Sequence, residues 1–146
     1  MKDAFGSPQS VISLEIAARS WLGTPFAGNS NAKGRGVSCQ MLAAEIYAEC
    51  GLDVGDIPEA PMAHSRFSKV SLVEPFIDAL PGFRSVPLPQ AGDLLGFRLG
   101  RVVHHLGIML LGGVFVHCVE GPGVLISPIA DATWSGRLQR IWRPQI

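Results

Sequence analysis

Residues 34–42 read Gly34-Arg35-Gly36-Val37-Ser38-Cys39-Gln40-Met41-Leu42, a glycine-rich polar loop that runs directly into a helical pattern. The apolar residues from here are spaced three and four apart, as on the buried face of a helix: Cys39, Leu42, Ala43, Ile46, Tyr47 and Cys50. Ser38 is a residue type that caps helix N-termini, and Gly51 ends the pattern. Cys39 is therefore predicted in the first helical turn, beside unpaired backbone N–H groups that favour the thiolate. It is a candidate nucleophile, although an isolated cysteine is more typical of a protein core.

Length and composition indicate one domain, residues 1–146, with a substantial hydrophobic core. Hydrophobic residues make up 47% of the chain, and 12 basic side chains balance 12 acidic ones. This balance argues against nucleic acid as a partner. The three cysteines form no CxxC pair and are predicted to be thiols in a reducing compartment.

The N-terminus has no apolar segment of signal-peptide length, and no stretch reaches the roughly 18 apolar residues of a membrane helix. The chain is therefore expected to be cytoplasmic as synthesised, with no membrane association. A location outside the cytoplasm would then need a virion or a non-Sec export route.

The first half of the chain is predicted to be helical. One helix begins at Ser10, and a loop over residues 27–36 leads to the Cys39 helix. An irregular connection over residues 53–67 follows, with His64 expected to be exposed. Ser71-Leu72-Val73-Glu74 has the form of a capping box and predicts a short helix that ends at Leu80.

The second half is predicted to consist of antiparallel strands over residues 93–97, 104–111, 114–119, 123–126 and 138–142. Helices followed by strands indicate an α+β fold in which N-terminal helices pack on one face of a C-terminal antiparallel sheet.

Three histidines lie in one predicted strand pair. His104 and His105 begin one strand, and His117 is near the end of the next. A helix-borne cysteine with sheet-borne histidines is typical of papain-like thiol enzymes. A metal site formed by these histidines and Cys118 is the weaker alternative, because neighbours on a strand point to opposite faces. No metal or cofactor is therefore predicted.

The turn between these strands decides which histidine shares a face with His117. A two-residue turn would select His104, whereas a three-residue turn over residues 111–113 would place Gly107 opposite His117 and select His105. We predict the three-residue turn with Gly113 at positive φ, because such turns favour glycine there.

The sequence resembles the NlpC-type cell-wall cysteine peptidases, including the variant found in phage tail proteins. The matching segments occur in the family's order: residues 21–26 (Trp-Leu-Gly-Thr-Pro-Phe), 36–39 (Gly-Val-Ser-Cys), 92–97 (Gly-Asp-Leu-Leu-Gly-Phe), 105–108 (His-Leu-Gly-Ile) and 116–118 (Val-His-Cys). The resemblance covers roughly residues 10–143 and implies a papain-like α+β fold. It implies that Cys39 is the nucleophile, that His105 is the general base and that His117 orients His105.

The resemblance also implies that Phe26, Ser38 and Gln40 contact substrate, and at each of them this chain differs from the family. The family usually has Asp-Cys-Ser-Gly where this chain has Ser38-Cys39-Gln40-Met41, and often has tyrosine where Phe26 stands. Without that tyrosine hydroxyl, stabilisation of the oxyanion would depend on backbone N–H groups such as that of Cys39.

The function implied is a thiol endopeptidase that acts on peptidoglycan stem peptides, typically at the bond between γ-D-glutamate and a diamino acid. The implied partners are peptidoglycan or muropeptide substrate and a phage-tail or secretion apparatus. Two alternatives stay open, another thiol amidase or acyltransferase on the same scaffold and a catalytically idle module for wall binding or tail assembly.

Overall fold

The computed structural model describes residues 1–59 and 67–146. Within these ranges, helices α1 to α4 are, in chain order, Pro8–Ser20, Cys39–Glu49, Val73–Asp78 and Ala132–Ser135. Its strands are β1 (Asn31–Ala32), β2 (Gly36–Val37), β3 (Phe83–Ser85), β4 (Leu94–Leu99), β5 (Val102–Met109), β6 (Val114–Val119), β7 (Gly123–Pro128) and β8 (Leu138–Pro144). The expected exposure of His64 concerns a residue outside the described ranges.

Local capping chemistry sets where the helices begin. Helix α1 begins at Pro8, earlier than predicted, because Ser7 and Ser10 form the capping box and proline suits the first helical position. Helix α2 has the predicted N-cap, since Ser38 Oγ accepts a hydrogen bond from the Met41 N–H at 3.2 Å. The helix that carries Cys39 therefore starts where the sequence placed it.

Helix α3 is capped differently from the prediction. Ser71 Oγ accepts a hydrogen bond from the Glu74 N–H and donates one to the Val103 carbonyl of β5. The Glu74 carboxylate does not complete a capping box but pairs with Arg140 on β8 at 2.7 Å. The bond from Ser71 to β5 and the ion pair from Glu74 to β8 hold α3 against the sheet.

Six strands form one antiparallel sheet in the order β3-β8-β4-β5-β6-β7, and β1 pairs with β2 separately. The five predicted strands correspond to β4 to β8. The edge strand β3, the β1–β2 pair and the single turn of α4 were not predicted, because each is only two to four residues long.

The predicted hairpin register between β5 and β6 is confirmed. Gly107 is paired with His117, and the Leu110 N–H donates to the Val114 carbonyl at 2.9 Å. Gly113 has a φ of +72°, as expected, and Gly112 also has a positive φ, of +84°. Residues 111–113 therefore form the three-residue turn, which puts His105 and His117 on the same face of the sheet.

The two faces of the sheet carry separate hydrophobic clusters. The larger one packs α1, α2 and α3 against side chains such as Leu106, Ile108 and Val116. The smaller one contains Phe97 and Phe115 and is covered by residues around α4. The α+β prediction with N-terminal helices on the antiparallel sheet is thus confirmed, but the opposite face is also covered.

No helix within the described part of the chain combines the length and apolar character needed to cross a membrane.

Candidate active site

Cys39 lies where the sheet opens beneath the N-terminus of α2. Strands β5 and β6 are paired only as far as Gly107 and His117, although β5 extends back to Val102. The backbone N–H of Leu106, next to Gly107 on β5, is close enough to the Cys39 thiol to lower its pKa. Cys39 thus lies beside the point where β5 and β6 diverge, and it lines one cavity together with His104 and His105 of β5.

Burial changes the pKa of the Cys39 thiol more than the position of Cys39 at the start of α2 does. Cys39 is 5% exposed, and burial raises the pKa of its thiol to about 11. Hydrogen bonds from the backbone N–H groups of Leu106, Gln40 and Cys39 lower the pKa, but by less, while the Glu59 carboxylate raises it further. The expectation that this position favours the thiolate is therefore wrong for the free protein.

His105 and His117 form a buried pair on the face opposite α2. His105 Nε2 lies 2.8 Å from His117 Nδ1, and the exposed fractions are 4% and 0%. Because His105 uses Nε2 for this contact, its Nδ1 is the nitrogen left to accept a thiol proton. The far nitrogen of His117, Nε2, lies 2.8 Å from Ser127 Oγ.

An aromatic shell surrounds this pair. The Trp134 ring of α4 stacks on His105 with centroids 4.7 Å apart at 23° and meets His117 edge-on at 4.9 Å. Burial lowers the pKa of His105 well below its usual value, with smaller contributions from His117 and His104, and it lowers the pKa of His117 to about 4. Both imidazoles are therefore neutral at pH 7, as a general base must be before proton transfer.

A β-bulge distinguishes His104 from His105. Phe97 is opposite His105 and the next residue of β4 is opposite Val103, so His104 is the extra residue. Both histidines line the same cavity. In residues 1–59 and 67–146, no three His, Cys, Asp or Glu side chains converge as metal ligands would.

The cavity above the thiol has a volume of about 450 Å³ and is lined by Cys39, His105 and Trp134. Phe26, Ser38 and Gln40 also line it, so the structure brings together the three residues expected to contact substrate. Two of them already have structural partners. Ser38 Oγ caps α2, and the buried Gln40 amide donates to the His104 carbonyl at 3.0 Å.

Among the described residues, several that contact the histidine pair or line the cavity were missed from the sequence. Ser127 and Trp134 contact the histidine pair, while Glu59 and Glu120 line the cavity. One carboxylate oxygen of Glu59 already accepts a hydrogen bond from the Asn29 N–H. Trp134 had one usable signal, since Asp131 caps its short helix by accepting the Thr133 N–H. The carboxylates had none, because cavity lining depends on the folded chain.

Gly107 lies on the face shared by the two histidines, opposite His117, and we expect Gly107→Ala to disrupt the pair. An added Cβ would lie 2.9 Å from the Phe115 ring and 3.4 Å from His117 Cβ. Because the Phe115 ring is packed in the smaller cluster and its centroid is 4.3 Å from that of His117, displacing it would disturb His117. We expect a loss of about 1–3 kcal/mol in the free energy of unfolding, measured by urea denaturation, and altered His117 imidazole resonances.

Gly136→Ala is the matched control. Gly136 follows α4, has a φ of −77°, and has no atom within 4 Å of an added Cβ. If Gly107→Ala were no more destabilising than Gly136→Ala, the tight packing at the histidine pair would be refuted.

No protein-family model matches the chain, and no curated protein matches its sequence. Solved structures do match. An NLP/P60 family protein from Staphylococcus aureus, described as similar to lipoprotein, has a TM-score of 0.63 at 18% identity, over 96% of this chain and 43% of that one. The peptidoglycan hydrolase RipB from Mycobacterium tuberculosis gives 0.60 at 23% identity, over 94% and 65%.

A third similar structure is RipD from Mycobacterium tuberculosis, described as a non-catalytic NlpC/p60 domain protein adapted to peptidoglycan binding. Its TM-score is 0.61 at 16% identity, over 96% of this chain and 100% of that one. The chain spans less than two thirds of the S. aureus protein and of RipB. At these identities the likeness establishes the fold, so the chain has the papain-like α+β fold of NlpC/P60 domains.

Proposed function

We propose that residues 1–146 form a thiol endopeptidase domain that hydrolyses peptidoglycan stem peptides through Cys39, His105 and His117. The observation that supports this most directly is the common position of nucleophile and base. Cys39 and His105 line one cavity, and His105 is held from behind by His117 at 2.8 Å. The similar structures include a peptidoglycan hydrolase with the same fold.

The chemistry begins with a neutral pair. His105 Nδ1 takes the proton of the Cys39 thiol as the sulfur attacks the substrate carbonyl carbon. The oxyanion that forms is stabilised by backbone N–H groups at the start of α2, including that of Cys39. The tetrahedral intermediate collapses as His105 returns the proton to the departing amine. Water activated by His105 then hydrolyses the acyl-enzyme and restores the thiol.

The cavity lining favours a substrate with an amino group. Glu59 and Glu120 are both acidic and no lysine or arginine lines this cavity among the described residues. A diamino acid next to γ-D-glutamate supplies such an amine, so we assign the scissile bond between these two. A phage-tail or secretion-apparatus partner is consistent with the sequence but draws no support from the similar structures.

A second candidate is a catalytically idle module that binds peptidoglycan. The full-length likeness to non-catalytic RipD favours it. The presence of Cys39 and of the His105–His117 hydrogen bond opposes it, since a binding groove needs neither a thiol nor a buried imidazole beside it. Another thiol amidase or acyltransferase differs from our proposal only in the bond cleaved.

The deciding experiment is product analysis on purified muropeptides that carry diaminopimelate or lysine. We expect mass spectrometry to show release of a peptide with a free diamino-acid amine by the wild-type protein and none by Cys39→Ala. A chelator should leave the rate unchanged. Binding without cleavage would instead support the idle module, and a different product would identify another amidase.

A further inference from the structure

Ser127 extends the histidine pair by one more hydrogen bond. It lies on β7 opposite Phe115, on the face of the sheet that carries His117, and it is 7% exposed. Its Oγ is 2.8 Å from His117 Nε2, while His117 Nδ1 is 2.8 Å from His105 Nε2. Both nitrogens of a fully buried ring are therefore held by identified partners.

Two arrangements of protons fit these distances. In the first, His105 Nε2–H donates to His117 Nδ1, and His117 Nε2–H donates to Ser127 Oγ. In the second, both imidazole protons lie on Nδ1 and Ser127 donates its hydroxyl proton to His117. Only the first leaves a lone pair on His105 Nδ1, which the thiol proton needs.

Once His105 has taken the thiol proton, His117 Nε2–H needs Ser127 as its hydrogen-bond acceptor even more. The imidazolium of His105 carries a proton on Nε2 and must donate it, so His117 Nδ1 must be an acceptor and His117 must carry its own proton on Nε2. That buried N–H then needs an acceptor. The rings of Phe115 and Trp134, with centroids 4.3 Å and 4.9 Å from His117, provide no such oxygen, whereas Ser127 Oγ does.

We propose that Ser127 is a positioning residue that accepts the Nε2–H of His117 and thereby keeps His105 in the form that can take the thiol proton. The role in catalysis rests on the proposed function, whereas the proton arrangement is a property of the free protein. Ser127 touches neither the substrate cavity nor the thiol. It acts only through His117.

The test combines kinetics with nitrogen NMR of ¹⁵N-labelled histidines in the Cys39-containing protein. For Ser127→Ala we expect kcat to fall roughly tenfold or more, but by no more than the 10²–10⁴-fold that a general base contributes, with KM nearly unchanged. In the wild type, we expect the nitrogen chemical shifts of His117 to show a proton on Nε2. In Ser127→Ala, we expect them to show a mixture of the Nε2–H and Nδ1–H tautomers. Ser127→Thr, which keeps a hydroxyl, should restore both.

Ser85→Ala, an exposed serine on strand β3, is the matched control and should change neither readout. An unchanged kcat in Ser127→Ala, or a wild-type His117 with its proton on Nδ1, would overturn the proposal. If the wild-type protein cleaves no muropeptide, the proposed function fails, but the nitrogen resonances of wild type and Ser127→Ala still decide the positioning role.

Discussion

His105→Ala is expected to lower the rate of muropeptide cleavage by roughly 10²–10⁴-fold, the usual contribution of a general base. His105 lines the cavity with Cys39 and is hydrogen bonded through Nε2 to His117, so its loss removes the group that accepts the thiol proton. The measurement is kcat/KM on the muropeptide that the wild-type protein cleaves. Since nucleophile and base act as one unit, adding Cys39→Ala should cause little further loss.

The matched variant is His104→Ala, which removes the adjacent histidine. The hydrogen bond that joins His104 to α2 is accepted by the backbone carbonyl of His104, which alanine retains. We therefore expect the rate to fall by less than the roughly 10²-fold lower limit for loss of a base. The reverse ranking of the two variants would show that the bulged residue, His104, is the base.

The elements fixed by local signals were predictable from the sequence. The start of α2 follows from the capping serine and the spacing after Cys39, and its end from Gly51, which has a φ of +84°. The β5–β6 register follows from the glycines at 112 and 113, whose positive φ values suit the three-residue turn. In both cases chemistry within a few residues decides the structure.

The rest of the site depends on contacts between distant segments. His117 and Trp134 meet only after β7 and the following turn fold back over the sheet, and no periodicity encodes that contact. The bulge at His104 places two adjacent histidines beside one cavity, which strict alternation along a strand does not predict. The predicted start of α2 gave the correct position of Cys39 along the helix, but only the folded structure shows how deeply its thiol is buried.

The alkylation rate of Cys39 is expected to rise about tenfold per pH unit between pH 7 and pH 10, because the thiolate fraction does so below the pKa. Burial raises that pKa to about 11, and the neighbouring imidazole has a pKa well below its usual value. The proton therefore stays on sulfur in the free protein. Iodoacetamide labelling of Cys50→Ala, followed by peptide mass spectrometry, measures the rate at Cys39 without interference from the more exposed Cys50.

Cys118 and the denatured protein are the two controls for the labelling rate of Cys39. Burial raises the pKa of the Cys118 thiol to about 12, and this thiol donates to the Val37 carbonyl, so Cys118 should label more slowly than Cys39 at every pH. In denaturant both thiols should titrate near the ordinary value of about 8.5, since the cause of the shift is burial. A Cys39 rate that is already constant between pH 6 and pH 8 would instead mean that Cys39 and His105 form a thiolate–imidazolium pair before substrate binds. His105 would then act as a stored acid, and the neutral-pair mechanism would be wrong.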